Sequence, residues 1–339
     1  MSGRNSADTE VRNRINRKLN EMPDFITGYY RYIRTSEASY CYEEIMRLSY
    51  FLKFINPNMK DVTLSDITAD VAADYLFYKQ NTEKVSPAYW NGLRGNIERF
   101  FDYLVEEGVY SSNPIPTKVK KRKNQRVVER KSALTIADLD NILEGLKNGV
   151  CSFQTESYQE KWKERDILIF NFFILTGVRK SALASIDISD IDFETGTLTV
   201  MDKGDKNNHY KINSLMPSLK SWMSKRQELI EKWSAEGYKL SDKDKDALFL
   251  ANRKKRMSVV GISRLVEKTT EEILGEKYSP HKIRYAFGTN LYEKTKDIYF
   301  VQKALHHSDA GTTQIYIRQN QDSMDEIDSI MGEVVKNCN

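Results

Sequence analysis

Residues 118–131, KVKKRKNQRVVERK, carry eight Lys or Arg against one acid, Glu129. A run of like charge this dense cannot be buried, because each unpaired cation would lose its hydration. The length of 339 residues suggests two domains with room for a core in each, and this run is expected to link them. Taken alone, the run is a solvated linker. It also suits a strap that neutralises phosphates and releases their counterions. Its cations Lys120, Lys121, Arg122 and Lys123 are candidate nucleic-acid contacts.

Before the linker the pattern is helical from residue 24 to residue 113. The segment EEIMRLSYFLKFIN, 43–56, puts Ile45, Leu48, Phe51, Leu52 and Ile55 on one stripe. Ser86-Pro87 reads as an N-cap followed by proline at the first helical position. The helix it opens buries Trp90, Leu93, Ile97, Phe100, Phe101 and Leu104 and leaves Tyr89, Arg94 and Arg99 for another surface. An aromatic stripe at this spacing is core rather than a base-stacking platform. Residues 1–23 are polar and are expected to be a flexible N-terminal segment; residues 319–339 are expected to be a tail with the short amphipathic helix DEIDSIMGEVV.

After the linker, Thr135 and Asp138 form a capping-box pattern ahead of Leu139, Ile142, Leu143 and Leu146. RDILIFNFFILT, 165–176, is apolar nearly all round, so that helix should be central. Two short strand signals, IDF and TLTVM, flank Glu194-Thr195-Gly196, and a third, HYKINS, follows the polar turn KGDKNN. Helices are expected at about 217–235, 258–274, 281–294, 297–305 and 312–317. Arg253, Lys254, Lys255 and Arg256, just before the helix at Ser258, are a further candidate DNA contact; a plain surface charge run is the alternative. The fold class is mainly α with a small three-stranded antiparallel sheet.

Composition excludes several classes. No apolar run approaches the roughly 18–20 residues of a membrane span. The opening residues lack an apolar signal core, so secretion is not expected. Cys41, Cys151 and Cys338 are scattered and outside CxxC spacing, so neither a disulfide framework nor a zinc site is expected. A reducing, intracellular compartment fits. The net charge of +4 argues only weakly for nucleic acid; its concentration in the linker argues more.

Four segments after the linker carry chemistry: Thr176-Gly177-Val178-Arg179, Asp202-Lys203-Gly204-Asp205-Lys206, Pro280-His281-Lys282-Ile283-Arg284, and Leu305-His306-His307-Ser308 with Tyr316 nine residues beyond His307. Each alone is ordinary: a capping arginine, a solvated turn lysine, a surface pair, a packing tyrosine. Together they supply what metal-free phosphodiester cleavage requires. Two permanently charged guanidinium groups can hold the non-bridging oxygens. A lysine can protonate a departing oxygen, and histidine can accept or orient the proton of a tyrosine nucleophile.

These boxes resemble the tyrosine recombinase family, the phage and archaeal-virus integrases and Xer-type recombinases, over most of the chain. The resemblance implies a helical, SAM-like core-binding domain at 24–116, a basic linker at 117–132 and a mixed α/β catalytic domain at 133–318. TGVR implies Arg179 as the first catalytic arginine, KGDK implies Lys203 as general acid, and HKIRYAFGT gives His281 and Arg284. LHHSDAGTTQIY gives His307 and the nucleophile Tyr316. It implies site-specific strand exchange through a 3′-phosphotyrosine and a Holliday junction, serving integration, excision or dimer resolution for a mobile element or chromosome. No cofactor or metal is implied. The partner is double-stranded DNA, held in a clamp of two domains, the helical one gripping it through Arg94 and Arg99, by a homotetramer on two sites; free protein would be a monomer or weak oligomer, in the cytoplasm or nucleoid of a prokaryote. The family's acid three residues after the first arginine is Ala182 here, its glycine in the last box is His306, expected to hold the turn or else to contact DNA, and its histidine after the second arginine is Tyr285, expected to pack. Rival readings are a type IB topoisomerase-like relaxing enzyme, a non-catalytic DNA-binding descendant, and a structural helical protein with accidental motifs.

Overall fold

The computed structural model describes residues 2–122, 133–149, 155–202 and 206–306. The chain divides into two compact units, residues 1–129 and 130–339, each with its own buried apolar cluster.

The first unit is all helix: α1 (Ser2–Leu19), α2 (Asp24–Ile33), α3 (Ala38–Ile55), α4 (Ala69–Asn81), α5 (Pro87–Glu106) and the single turn α6 (Ile115–Lys118). Ser86 caps α5 as expected, its Oγ accepting from the Tyr89 N–H, and all six apolar residues of the expected α5 stripe are buried. The N-terminal segment departs from expectation. Its residues form α1, packed on α3, with Ile15 at 0% exposure and Leu19 and Met22 buried behind it. The stripe Val11, Ile15, Leu19 repeats every four residues, but the charged residues between them dilute it. The unit also reaches past its expected end at residue 116. Val119 O accepts from Arg94 Nε at 2.5 Å, and Asn91 brackets the Arg122 backbone with two bonds of 2.9 Å.

The second unit opens with α7 (Ile136–Asn148), whose Thr135–Asp138 capping box forms. α8 (Glu156–Thr176) is the central helix, with Leu168, Ile169, Phe170, Phe172 and Phe173 fully buried. α9 (Lys180–Ser185) leads to β1 (Ile191–Asp192), β2 (Thr197–Asp202) and β3 (Lys206–Lys211), which pair antiparallel in the order β1-β2-β3. β3 starts earlier than HYKINS suggests: Asn208 pairs with Val200 and is buried, so the polar residues KNN belong to the ladder. α10 (Met216–Ala235) and the turn α11 (Asp242–Lys245) follow. Next comes a hairpin that strand patterning misses, β4 (Leu250–Ala251) with β5 (Lys255–Arg256). It was hidden because only two residues on each side pair. α12 (Val259–Leu274), α13 (Pro280–Thr295) and α14 (Ile298–Ala304) complete the described part of the unit. The helix expected at 312–317 and the C-terminal amphipathic helix lie outside the described residues.

Candidate active site

The first arginine box sits where α8 stops. Gly177 ends the helix with a left-handed φ of +58°, and a Cβ there would lie 2.5 Å from the Phe287 ring, so only glycine fits. Thr176 Oγ1 accepts from the Val178 N–H at 3.2 Å, fixing the turn. Arg179 then stands at the N-cap position of α9, half-buried. Ala182 is buried, 5% exposed, in the core beneath it.

The second box opens α13, which has proline at its first position. Arg284 is 4% exposed. Its Nη1 donates to Gly177 O at 2.5 Å and its Nη2 to Leu305 O at 2.6 Å. One buried guanidinium thus joins the end of α8, the first turn of α13 and the residue following α14. His281, one turn before Arg284, keeps its ring at the surface. Its pKa is lowered, first by the protein packed around the ring, then by the positive charges of Arg284, Lys282, Arg179 and Lys180. The positive charges of both arginines therefore disfavour the protonated form of His281. His306 takes a left-handed φ of +50°, as a residue in a glycine's place must, and Tyr285 packs half-buried against Val301 and Leu305. Lys203, His307 and Tyr316 lie outside the described residues.

The proposed DNA contacts divide. Arg94 is 2% exposed and bonded to Glu98 at 2.7 Å as well as to Val119 O; it is a core strut, not a surface group. Arg99 neutralises the buried carboxylate of Glu44, which also accepts from Tyr29 and Asn96. Arg94 is thus corrected, because a helical wheel cannot see the Val119 carbonyl contributed by another segment; Arg99 keeps 41% of its side chain exposed beside its ion pair. Arg256 is likewise committed, with Nη1 on the carbonyls of Ala184 and Ile186 and Nη2 paired with Asp187. Lys254 pairs with Glu236 at 3.0 Å over the Tyr238 ring. Arg122 is half-buried above Trp90. Lys120, Lys121, Arg253 and Lys255 are exposed; Lys123 lies outside the described residues. Sequence reasoning missed Arg264, which lines a cavity of about 380 Å³ with Arg253, Lys255 and Val260 at the start of α12. It also missed Lys180 and Lys282, whose adjacency to Arg179 and His281 was plain in the sequence. Among the described residues no three His, Cys, Asp or Glu side chains are grouped to hold a metal ion, and no helix is long and apolar enough to cross a membrane.

Residues 139–323, more than half of the chain, match the model of the phage integrase family. This chain belongs to that family. The integrase is 29% identical over 273 residues to tyrosine recombinase XerC of Thermodesulfovibrio yellowstonii, covering 75% of this chain and 84% of that protein. It is also 29% identical to XerC of Caldanaerobacter subterraneus subsp. tengcongensis, covering 79% and 68%. Among solved structures it resembles XerH site-specific recombinase bound to a palindromic difH substrate, with a TM-score of 0.63 at 22% identity over 95% of this chain and 89% of that one. A lambda integrase dimer bound to a COC' core site gives a TM-score of 0.61 at 18% identity over 86% and 94%. At such identities the structural likeness establishes the fold, the two-domain tyrosine recombinase architecture. Family membership makes the integrase a site-specific recombinase, an enzyme that breaks and rejoins DNA.

Proposed function

We propose that this integrase cuts each strand with Tyr316 and stores the broken bond as a 3′-phosphotyrosine. The tyrosine oxygen forms a bond to phosphorus as the bond from phosphorus to the 5′ oxygen breaks. Lys203 gives a proton to the departing 5′ oxygen, while His281 and His307 orient or take the proton of the tyrosine. Arg179 and Arg284 stabilise charge on the non-bridging oxygens. Attack by the 5′ hydroxyl of a partner strand reverses these steps. Repeated twice by four protomers on two duplex sites, it passes through a Holliday junction and needs neither metal nor ATP. Arg253, Lys255, Lys120 and Lys121 would meet phosphates of the flanking duplex, and the setting would be the cytoplasm or nucleoid of a prokaryote.

The observation that carries this reading is the Arg284 guanidinium bonded to both Gly177 O and Leu305 O. Three motif-bearing segments far apart in sequence converge on one cation, as a single phosphate would need. The test is a nicked suicide duplex from the element's own attachment region. Wild-type protein should form an adduct that survives a denaturing gel, and Tyr316→Phe should bind without forming one. An adduct in Tyr316→Phe, or relaxation of supercoils at many unrelated sequences by a monomer, would refute the assignment.

A further inference from the structure

We propose that His306 is a positioning residue whose ring holds the β2–β3 hairpin in register with Arg284. The left-handed backbone at His306, φ +50°, is one that residues bearing a Cβ adopt reluctantly and glycine adopts freely. What the imidazole adds is a contact. It meets the Tyr210 ring edge-on, with centroids 4.9 Å apart and planes at 77°, an arrangement aromatic pairs favour. Tyr210 is buried on β3 and pairs with Leu198 of β2. On the other side, the His306 N–H donates to Lys303 O at 3.1 Å, and the preceding carbonyl, Leu305 O, is held by Arg284. A continuous line of contact therefore runs from β3 through two rings and one peptide to Arg284, and on to Gly177 beside Arg179.

The inference rests on the reading above that Lys203, between β2 and β3, protonates the departing 5′ oxygen. A hairpin displaced by about an ångström would lose that alignment while folding and DNA affinity stayed intact. The experiment is single-turnover cleavage by the full chain on two suicide duplexes, one with the ordinary bridging 5′ oxygen and one with sulfur in its place. A thiolate leaves without a proton, so the sulfur duplex bypasses the lysine. His306→Gly and His306→Asn accept the left-handed backbone but remove the ring, Tyr210→Leu removes the other ring, and Tyr210→Phe keeps the edge contact.

The first three variants should cleave the oxygen duplex about two- to tenfold more slowly. They should cleave the sulfur duplex at the wild-type rate and bind DNA with unchanged affinity. The His306→Gly, Tyr210→Leu double variant should be no slower than the slower single one, because both break the same contact. Tyr210→Phe, which keeps the ring pair, should cleave the oxygen duplex faster than Tyr210→Leu. Equal slowing on both duplexes, additive losses in the double variant, or a wild-type rate in His306→Gly would overturn the proposal. Should Tyr210→Leu melt early, the two His306 variants decide the matter, since neither burdens the backbone. Lys203→Ala separates the two claims. If sulfur rescues it but not His306→Gly, the positioning role fails alone; if sulfur does not rescue it, the general-acid reading fails and takes the positioning role with it.

Discussion

Arg284 and His281 show how one turn of helix can carry two kinds of chemistry. Arg284 is buried and spans two carbonyls, which a lysine ammonium, a compact point charge, cannot reproduce in the same plane. Arg284→Lys should therefore lower single-turnover cleavage nearly as far as Arg284→Ala, by about 10²–10³-fold for a lost transition-state donor; a rate within a few-fold of wild type in either would remove Arg284 from the site. His281 has a pKa below its ordinary 6.5. The unfolded chain thus takes up this proton at higher pH than the folded one. The stability it contributes is complete above about pH 6.5 and declines as pH falls toward the folded value. The acid limb of the cleavage profile should accordingly lie below pH 6.5, and Lys180→Gln or Lys282→Gln, by removing a neighbouring positive charge, should move it upward. NMR titration of the His281 ring checks both; an unmoved ring pKa in both variants would show that these lysines do not set it.

At the scale of elements, the short hairpin before α12 separates cations that look alike in sequence. Arg256 ties β5 to the carbonyls of Ala184 and Ile186 and to Asp187, whereas Arg253 and Lys255 are exposed. Arg256→Ala should lower the melting temperature. Arg253→Ala and Lys255→Ala should leave it in place and each reduce the slope of log affinity against log salt by about one. An unchanged slope in both would exclude phosphate contact here. Helix α1 is a second case. Ile15 is fully buried against the rest of the first unit, so Ile15→Ala should cost about 2–5 kcal/mol in chemical denaturation. A loss under about 0.5 kcal/mol, the range of surface substitutions, would show the helix to be undocked.

For the whole molecule, the two largest buried clusters among the described residues lie in separate units. Fragments of residues 1–129 and 130–339 should each unfold cooperatively, and calorimetry of the full chain should resolve more than one transition. A single transition matching the two-state enthalpy would instead tie the units into one folding body.

Much of this protein was legible in sequence, because much of it is local. Helix periodicity, the Ser86-Pro87 and Thr135–Asp138 start signals and the apolar run of α8 act within a few residues, and all fold as their patterns imply. The order and spacing of the boxes around Arg179, Lys203, Arg284 and Tyr316 were enough to suggest the family. Tertiary structure alone decided which cations are free for a ligand and which are struts. Arg94 and Val119 are 25 positions apart, and Arg256 and Asp187 are 69. An arginine's role depends on whether a carboxylate or carbonyl waits within hydrogen-bond reach, and the folded path of the chain, not the residues beside it, brings that partner there.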